Sequence, residues 1–181
     1  MATATTTATK WAIDPMHSEI NFKVKHLMIS TVSGKFADFT GNVESENDDF
    51  SDAKINFSAQ TASISTGNPQ RDGHLITDEF LDSAKFPELT FASKSFTKDG
   101  DEYALTGDFT LKGVTKSMTF AVEFNGIQGD FFGNTKAGFE LTGKIKRKEF
   151  GLTWDGMTEA GGIVLGDEVK IECNIQLAKV V

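Results

Sequence analysis

The stretch Val169-Lys170-Ile171-Glu172-Cys173-Asn174-Ile175-Gln176-Leu177 alternates apolar and polar residues without a break. Successive side chains of a strand point to opposite faces, so this pattern reads as a β-strand with one dry face and one wet face. The same period recurs upstream. Met118, Phe120, Val122 and Phe124 alternate with polar neighbours, as do Ala137, Phe139, Leu141, Gly143 and Ile145. Tyr103, Leu105, Gly107, Phe109 and Leu111 form another such set, and Leu89 with Phe91 begins one more. Nearer the start come Ile20, Phe22 and Val24, then a stretch from Phe36 through Phe39 towards Val43, then Ala53, Ile55, Phe57 and Ala59. The sum is about eight strands, each with a single apolar face.

Turn chemistry agrees. Asp99-Gly100 and Lys112-Gly113 sit where tight hairpins are expected, Gly126 to Gly133 joins the next pair of strands, and Gly166-Asp167 precedes the last. Helical signals are confined to residues 68–82. There Asn68 can cap, Pro69 suits a first helical position, and Thr77 before Asp78-Glu79 suits a second start. With so little helix to cover it, a one-faced sheet must close on itself or fold over as a sandwich. Eight strands enclose just enough room for packed side chains or one small ligand. The expectation is an all-β, eight-stranded antiparallel barrel with one short helical segment, preceded by a disordered leader over residues 1–10 and forming a single domain over residues 11–181.

Composition narrows the function. There are 16 Phe against one Tyr and two Trp, which supplies large apolar area with no polar tip to satisfy. This furnishes either a packed core or a Phe-lined cavity. Small residues at inward positions, Ala53, Ala59, Gly107, Ala137 and Gly143, leave room for the cavity. The net charge of −8 argues against nucleic acid as a partner and against general adsorption to anionic membranes. No apolar run approaches the roughly 18 residues of a membrane span. The start has neither a basic region nor an apolar one, so the expected location is cytoplasmic, or periplasmic or secreted where a signal has been removed. The lone Cys173 permits no intrachain disulfide and reads as a small buried hydrophobe.

Polar candidates are few. Arg71 and Arg147 are the only arginines among 18 cations, and a planar guanidinium suits a carboxylate or phosphate. Arg71 lies in the polar cluster Ser65 to Leu75 with Asp72 and His74, where it either grips an anionic head group or ties the helical turn to the barrel rim. His17 follows Asp14-Pro15-Met16 at a turn, and His17, His26 and His74 show no metal-ligand spacing. No nucleophile elbow and no phosphate-binding glycine loop occurs, and Asp48-Asp49 and Asp99 to Glu102 read as solvated loop charge. No catalytic residue, cofactor or metal is expected.

Taken together, Trp11-Ala-Ile-Asp-Pro-Met-His-Ser18, Phe22, Lys25-His26, Gly34-Lys-Phe36, Ser63-Ile-Ser-Thr-Gly-Asn68 and Arg71-Asp-Gly-His-Leu75 resemble the YceI-like family of polyisoprenoid-binding proteins. So do Phe80, Phe86-Pro87, Phe91, Gly107 to Lys116, Arg147-Lys-Glu-Phe-Gly151 and Gly166-Asp-Glu-Val169. The resemblance implies a lipocalin-like barrel, a role in lipid transport often linked to stress, and an isoprenoid chain in the lumen, as a polyprenyl phosphate or a quinone tail. The tail would touch Phe22, Val24, Phe36, Phe57, Phe91, Phe109, Phe120, Phe139, Ile171 and Ile175. The head would sit near Arg71, Asp72 and His74, with His17 as a further candidate. Each buried CH₂ is worth about 0.8 kcal/mol, so a long tail supplies ample gross affinity. The rival readings are a binder of another apolar molecule or of polysaccharide, a lipid-modifying enzyme, and a filled barrel with an interaction role; a homodimer is left open.

Overall fold

One apolar face obliges a sheet to close, and the computed structural model, which describes residues 7–47, 49–154 and 165–180, shows the closure. The strands are β1 (Thr9–Ile13), β2 (Glu19–His26), β3 (Ser30–Phe36), β4 (Phe39–Ser45), β5 (Lys54–Gln60), β6 (Ile64–Ser65), β7 (Glu88–Asp99), β8 (Glu102–Leu111), β9 (Val114–Gly129), β10 (Thr135–Lys146) and β11 (Leu165–Lys179). They form one antiparallel sheet in which β1 and β2 both pair with β11. The eleven segments make eight staves, because three staves are bent in the middle: β1 runs into β2, β3 into β4, and β5 into β6. Each stave neighbours the next in sequence, and the last returns to the first, which is an up-and-down barrel.

The bends lie side by side and each is held by specific bonds. Between β1 and β2 the turn Pro15–His17 is capped by Asp14, whose carboxylate accepts from the Met16 N–H at 3.0 Å and meets His17 Nδ1 at 2.8 Å. Lys136 of β10 reaches the same carboxylate at 2.9 Å. Ser18 replaces the missing ladder, its Oγ accepting from the Gln176 N–H at 2.9 Å. Burial alone would raise the Asp14 pKa; the bonds from His17, Lys136 and Met16 outweigh it and hold the carboxyl at about 2. Across the sheet, the Ala37 N–H reaches the Ser63 carbonyl and the Gln60 N–H the Asp38 carbonyl, at 3.2 and 2.8 Å.

Several expectations shift. Thr9 and Lys10, assigned by composition to the leader, extend the β1–β4 ladder opposite Ser45 and Glu44; residues 1–6 of that leader lie outside the described residues. Phe36 ends a strand and does not open one, because β3 is a polar strand (Ser30 to Lys35) whose apolar marks are only Val32 and Phe36. Gly126 is a bulge at φ +104° inside β9, opposite the Gly138–Phe139 step, so the loop proper is residues 130–134. The residues of the β7–β8 turn are Gly100 and Asp101, one later than the Asp-Gly pair suggested. Gly166-Asp167 lies within β11 at a register shift. The helix α1 covers Pro69–Leu75, with the Asn68 side chain accepting from the Arg71 N–H at 3.1 Å; the start at Thr77 yields only turns.

One end of the barrel is stoppered. Asp48 lies outside the described residues, but its neighbour Phe50 turns inward from the β4–β5 loop at φ +59° and is only 2% exposed. Its ring packs on Trp11 at 5.3 Å, Phe139 at 5.1 Å and Phe124 at 5.5 Å. The left-handed backbone is paid for by Asp52, whose carboxylate collects the Ser45 hydroxyl and the Glu46 and Asn47 N–H groups at 2.7, 2.7 and 3.2 Å. Those bonds, that of Ser45 first, hold the Asp52 pKa near 2 against an ordinary 3.8.

Phe50→Ala should open a cavity at this end and cost about 3–5 kcal/mol in a urea unfolding measurement. Because the Asp52 and Asp14 carboxyls titrate lower folded than unfolded, their stabilisation is complete above about pH 4 and drains away as pH falls towards 2. Asp52→Asn should therefore lower stability at pH 7 and flatten the loss between pH 4 and 2, read from denaturation midpoints across that range.

Candidate functional site

The inward faces of the staves enclose two adjoining chambers. The inner one, about 140 Å³, has an almost wholly apolar wall that includes Phe57, Phe91, Phe120, Phe139 and Ile175. The outer one, about 620 Å³, lies at the end away from Phe50 and is lined by Val24, Val32, Leu111, Ile145, Val169 and, above them, by α1 and the segments around Phe80 and Trp154. Phe22, Phe36, Leu89, Phe109 and Ile171 line both, forming the neck between them. All ten residues expected against a tail therefore face this space. A dry cavity of the inner chamber's size accepts apolar guests, and the outer chamber falls within the roughly 300–1,000 Å³ of small-molecule sites.

The glycines make room indirectly, by seating aromatic rings against the wall. A Cβ on Gly107 would stand 2.6 Å from the Phe91 ring and 2.3 Å from the Ala92 carbonyl oxygen. A Cβ on Gly143 would meet Phe120 at 2.7 Å, and one on Gly34 would meet Phe22 at 2.3 Å. The glycines are seats for neighbouring aromatic rings, which lie flat across the sheet. Ala59 and Ala137 are buried without touching either chamber, and Ala53 alone of the five lines the inner one.

At the mouth, Arg71 and His74 line the outer chamber together with His26, Asn68, Gln70 and Thr66. Arg71 does not pair with an aspartate. Its Nε donates to Thr66 Oγ1 at 2.7 Å and a terminal nitrogen donates to the Thr66 carbonyl at 2.8 Å. Asp72 faces away from the chamber and takes the Thr66 N–H at 2.9 Å and its hydroxyl. Thr66 thus pins α1 to the strand end from two sides. His74 pairs with Glu79 and stands edge-on to Phe80 and Trp154, at 5.0 and 5.7 Å. His17 lies elsewhere. It sits at the bend beside Gln176, while the mouth is level with Leu165 and Val169, and its ring is spent on Asp14.

The residue that sequence reasoning undervalued is Arg147. It is 2% exposed and its guanidinium donates to the carbonyls of Leu152, Gly166, Trp154 and Leu165 at 2.6, 2.7, 2.8 and 3.0 Å. A buried cation surrounded by carbonyls is a structural clamp, here gathering both ends of the β10–β11 connection over the mouth. Its rarity as an arginine was the available signal. Of the aromatics that polysaccharide binding would use, Trp11 is buried, Tyr103 stacks on Phe96 at 4.7 Å, and Trp154 belongs to the mouth cluster. Cys173 lines the inner chamber, and burial pushes its thiol up to about 12. Among the described residues no group of three or more His, Cys, Asp or Glu gathers as a metal site would require, and no helix is long and apolar enough to cross a membrane.

Comparison with known proteins follows the same lines. A family model described as a YceI-like domain matches residues 11–177. The UPF0312 protein SA2479 of Staphylococcus aureus is 37% identical over 171 residues, 94% of this chain and 98% of that one. The crystal structure of the Campylobacter jejuni YceI protein superposes with a TM-score of 0.74 at 31% identity, covering 87% of this chain and 90% of its own. A polyisoprenoid binding domain from Saccharophagus degradans, implicated in plant cell wall breakdown, shares the fold at a TM-score of 0.66 and 14% identity, covering 94% and 98%.

Thr66→Val keeps the shape of Thr66 and removes the hydroxyl that Arg71 and Asp72 share. Amide exchange over residues 70–75 should accelerate by about tenfold while the barrel strands keep their protection.

Proposed function

Because this chain belongs to the YceI-like family, we propose that it binds a polyisoprenoid lipid in its lumen and carries it without chemical change. The carrying observation is the apolar interior: two adjoining chambers that share five wall residues at the neck, closed at one end by Phe50 and open towards polar groups at the other. A chain with a long apolar tail and a polar head fits that polarity. The tail passes the neck at Phe22, Phe36, Phe109 and Ile171 and ends against Phe120 and Phe139. The head stays in the outer chamber beside Arg71 and His74, whose cationic and hydrogen-bonding groups suit a phosphate or a quinone oxygen. Asp72 and His17 serve this reading as scaffold and not as head contacts. The Saccharophagus degradans domain, a polyisoprenoid binder on the same fold, supports the ligand class.

The non-catalytic part of the proposal rests on the chemistry of the walls. The titratable group that faces the inner chamber is Cys173, which burial holds as the thiol, and a thiol is a poor nucleophile. At the mouth the titratable rings are His26 and His74, the latter hydrogen-bonded to Glu79, and both line the outer chamber only. Neither ring lines the inner chamber, where the tail would end, and the thiol there is not activated.

Native mass spectrometry of the purified protein, followed by organic extraction, should find a stoichiometric isoprenoid, or uptake of added polyprenyl phosphate. An empty barrel that also refuses added polyprenyl lipids would sink the proposal, and released product from a prenyl phosphate would sink its non-catalytic half. Ile171→Trp should block the neck, weakening a long-chain lipid by tenfold or more while sparing a short one that fits the outer chamber. Arg71→Ala should weaken a polyprenyl phosphate and leave the corresponding alcohol unchanged.

A further inference from the structure

The hairpin between β2 and β3 projects beside the mouth, and its tip is Leu27-Met28-Ile29. Met28 is 61% exposed, Ile29 84%, and Leu27 is also exposed. The strands at its base face the outer chamber through Val24, His26 and Val32, so the tip continues the apolar surface of the lumen outward. Leu27 and Met28 have φ of +54° and +59°, and the Ile29 N–H closes the turn onto the His26 carbonyl at 3.2 Å. Two positive φ values are the mark of a turn that Asn-Gly would make without strain. Large apolar side chains instead hold the left-handed region here and point into water, which is a cost with no return inside the fold.

Charge singles out the same hairpin. The chain carries −8 overall, yet residues 20–37 contain Lys23, Lys25, Lys35 and His26 and no Asp or Glu. Lys23 pairs with Glu172 at 3.2 Å on the neighbouring strand, and Lys25 reaches the Thr31 hydroxyl at 3.4 Å. Three carboxylates near the mouth are engaged: Glu79 by His74, Glu168 by Lys144 at 3.6 Å, and Asp167 by the Lys148 N–H at 3.1 Å. An apolar tip with a cationic stem, Lys25 and His26 next to it and no acidic residue, is the arrangement that inserts at a lipid–water interface bearing anionic head groups.

We propose that the Leu27–Ile29 tip docks this protein, mouth first, on an anionic lipid bilayer, so that an apolar tail passes between membrane and lumen without crossing water. The purpose of the docking rests on the lumen being a lipid site; the docking itself rests on the tip. A second apolar tip, Phe131-Phe132 in the β9–β10 hairpin, is fully exposed at the opposite, stoppered end and serves as an internal control.

The test is flotation of the full chain with vesicles of phosphatidylcholine mixed with phosphatidylglycerol, and with vesicles of phosphatidylcholine alone. Wild type should float with the mixed vesicles and much less with the neutral ones. The double variant M28D/I29D should bind the mixed vesicles at least about tenfold more weakly. Aspartate tolerates the left-handed backbone at Met28, so the fold should persist, with an unchanged circular dichroism spectrum and thermal midpoint. Uptake of polyprenyl phosphate delivered from detergent should be unchanged in this variant, which separates failure of docking from failure of lipid binding. Phe131→Ser with Phe132→Ser should float like wild type. The proposal is overturned by a wild type that does not float, by loss of flotation in the Phe131/Phe132 variant alone, or by a wild-type dimer in light scattering that M28D/I29D dissolves, which would make the occupant a second copy of the chain.

Discussion

Pairing of β11 on both its edges is the constraint from which the rest follows. One edge meets β10 from Lys136↔Ala178 to Lys146↔Glu168; the other meets β2 along its length and β1 at its end. Without that double engagement the sheet would be open, its apolar face wet and its edge strands bare. With it, every stave has a neighbour on each side and the inward residues are committed to a shared interior. The bends between β1 and β2, β3 and β4, and β5 and β6 let the first three staves follow the curvature that closure demands. That explains why the Trp11-to-Ser18 motif is dominated by residues that hold a bend (Asp14, Pro15, Ser18) and not by residues that face the lumen.

Closure makes an interior but does not leave it hollow. The size of the cavity is set by how aromatic rings are stored. Phe22, Phe91 and Phe120 lie across Gly34, Gly107 and Gly143, flat against the wall, where a Cβ would lift them into the lumen. Phe124, Phe139 and Phe50 instead stack at one end, with Phe124 and Phe139 at 4.9 Å. A single chain thus has a packed end and an open end, and the open end is where Arg147 and Thr66 hold the roof in place. Direction follows from this asymmetry. The outer chamber lies under α1 and the Trp154 cluster, and the polar groups gather there.

The two arginines divide between them the roles that their rarity advertised. Arg147 donates to four backbone carbonyls and ties Leu152 and Trp154 to Leu165 and Gly166 beside the mouth. Arg71 is exposed, its Nε and one terminal nitrogen bonded to Thr66 and its guanidinium at the chamber wall. The same side chain, with its fork of donors, serves as a clamp where carbonyls converge and as a candidate anion contact where they do not.

The alternation from Tyr103 to Leu111 and from Val169 to Leu177 was enough by itself to establish strands and their inward faces, because period 2 and a single apolar face are local properties; a barrel and a sandwich both satisfy that pattern, and the pairing of β11 on both edges chose the barrel. The ten inward residues expected against a tail all reach the chambers for that reason. Other features needed the folded chain. A polar strand such as β3 is visible only through its partners. Asp72 shares a motif with residues at the mouth and His17 belongs to a bend away from it, and the side-chain direction of each is set by local bonds, to Thr66 and to Asp14. Phe50 sits in an acidic loop whose composition says solvent, and its burial depends on a left-handed backbone supported by Asp52. Whether small residues leave a void or seat a ring is likewise decided across strands, between residues far apart in sequence, and so only the tertiary structure could decide it.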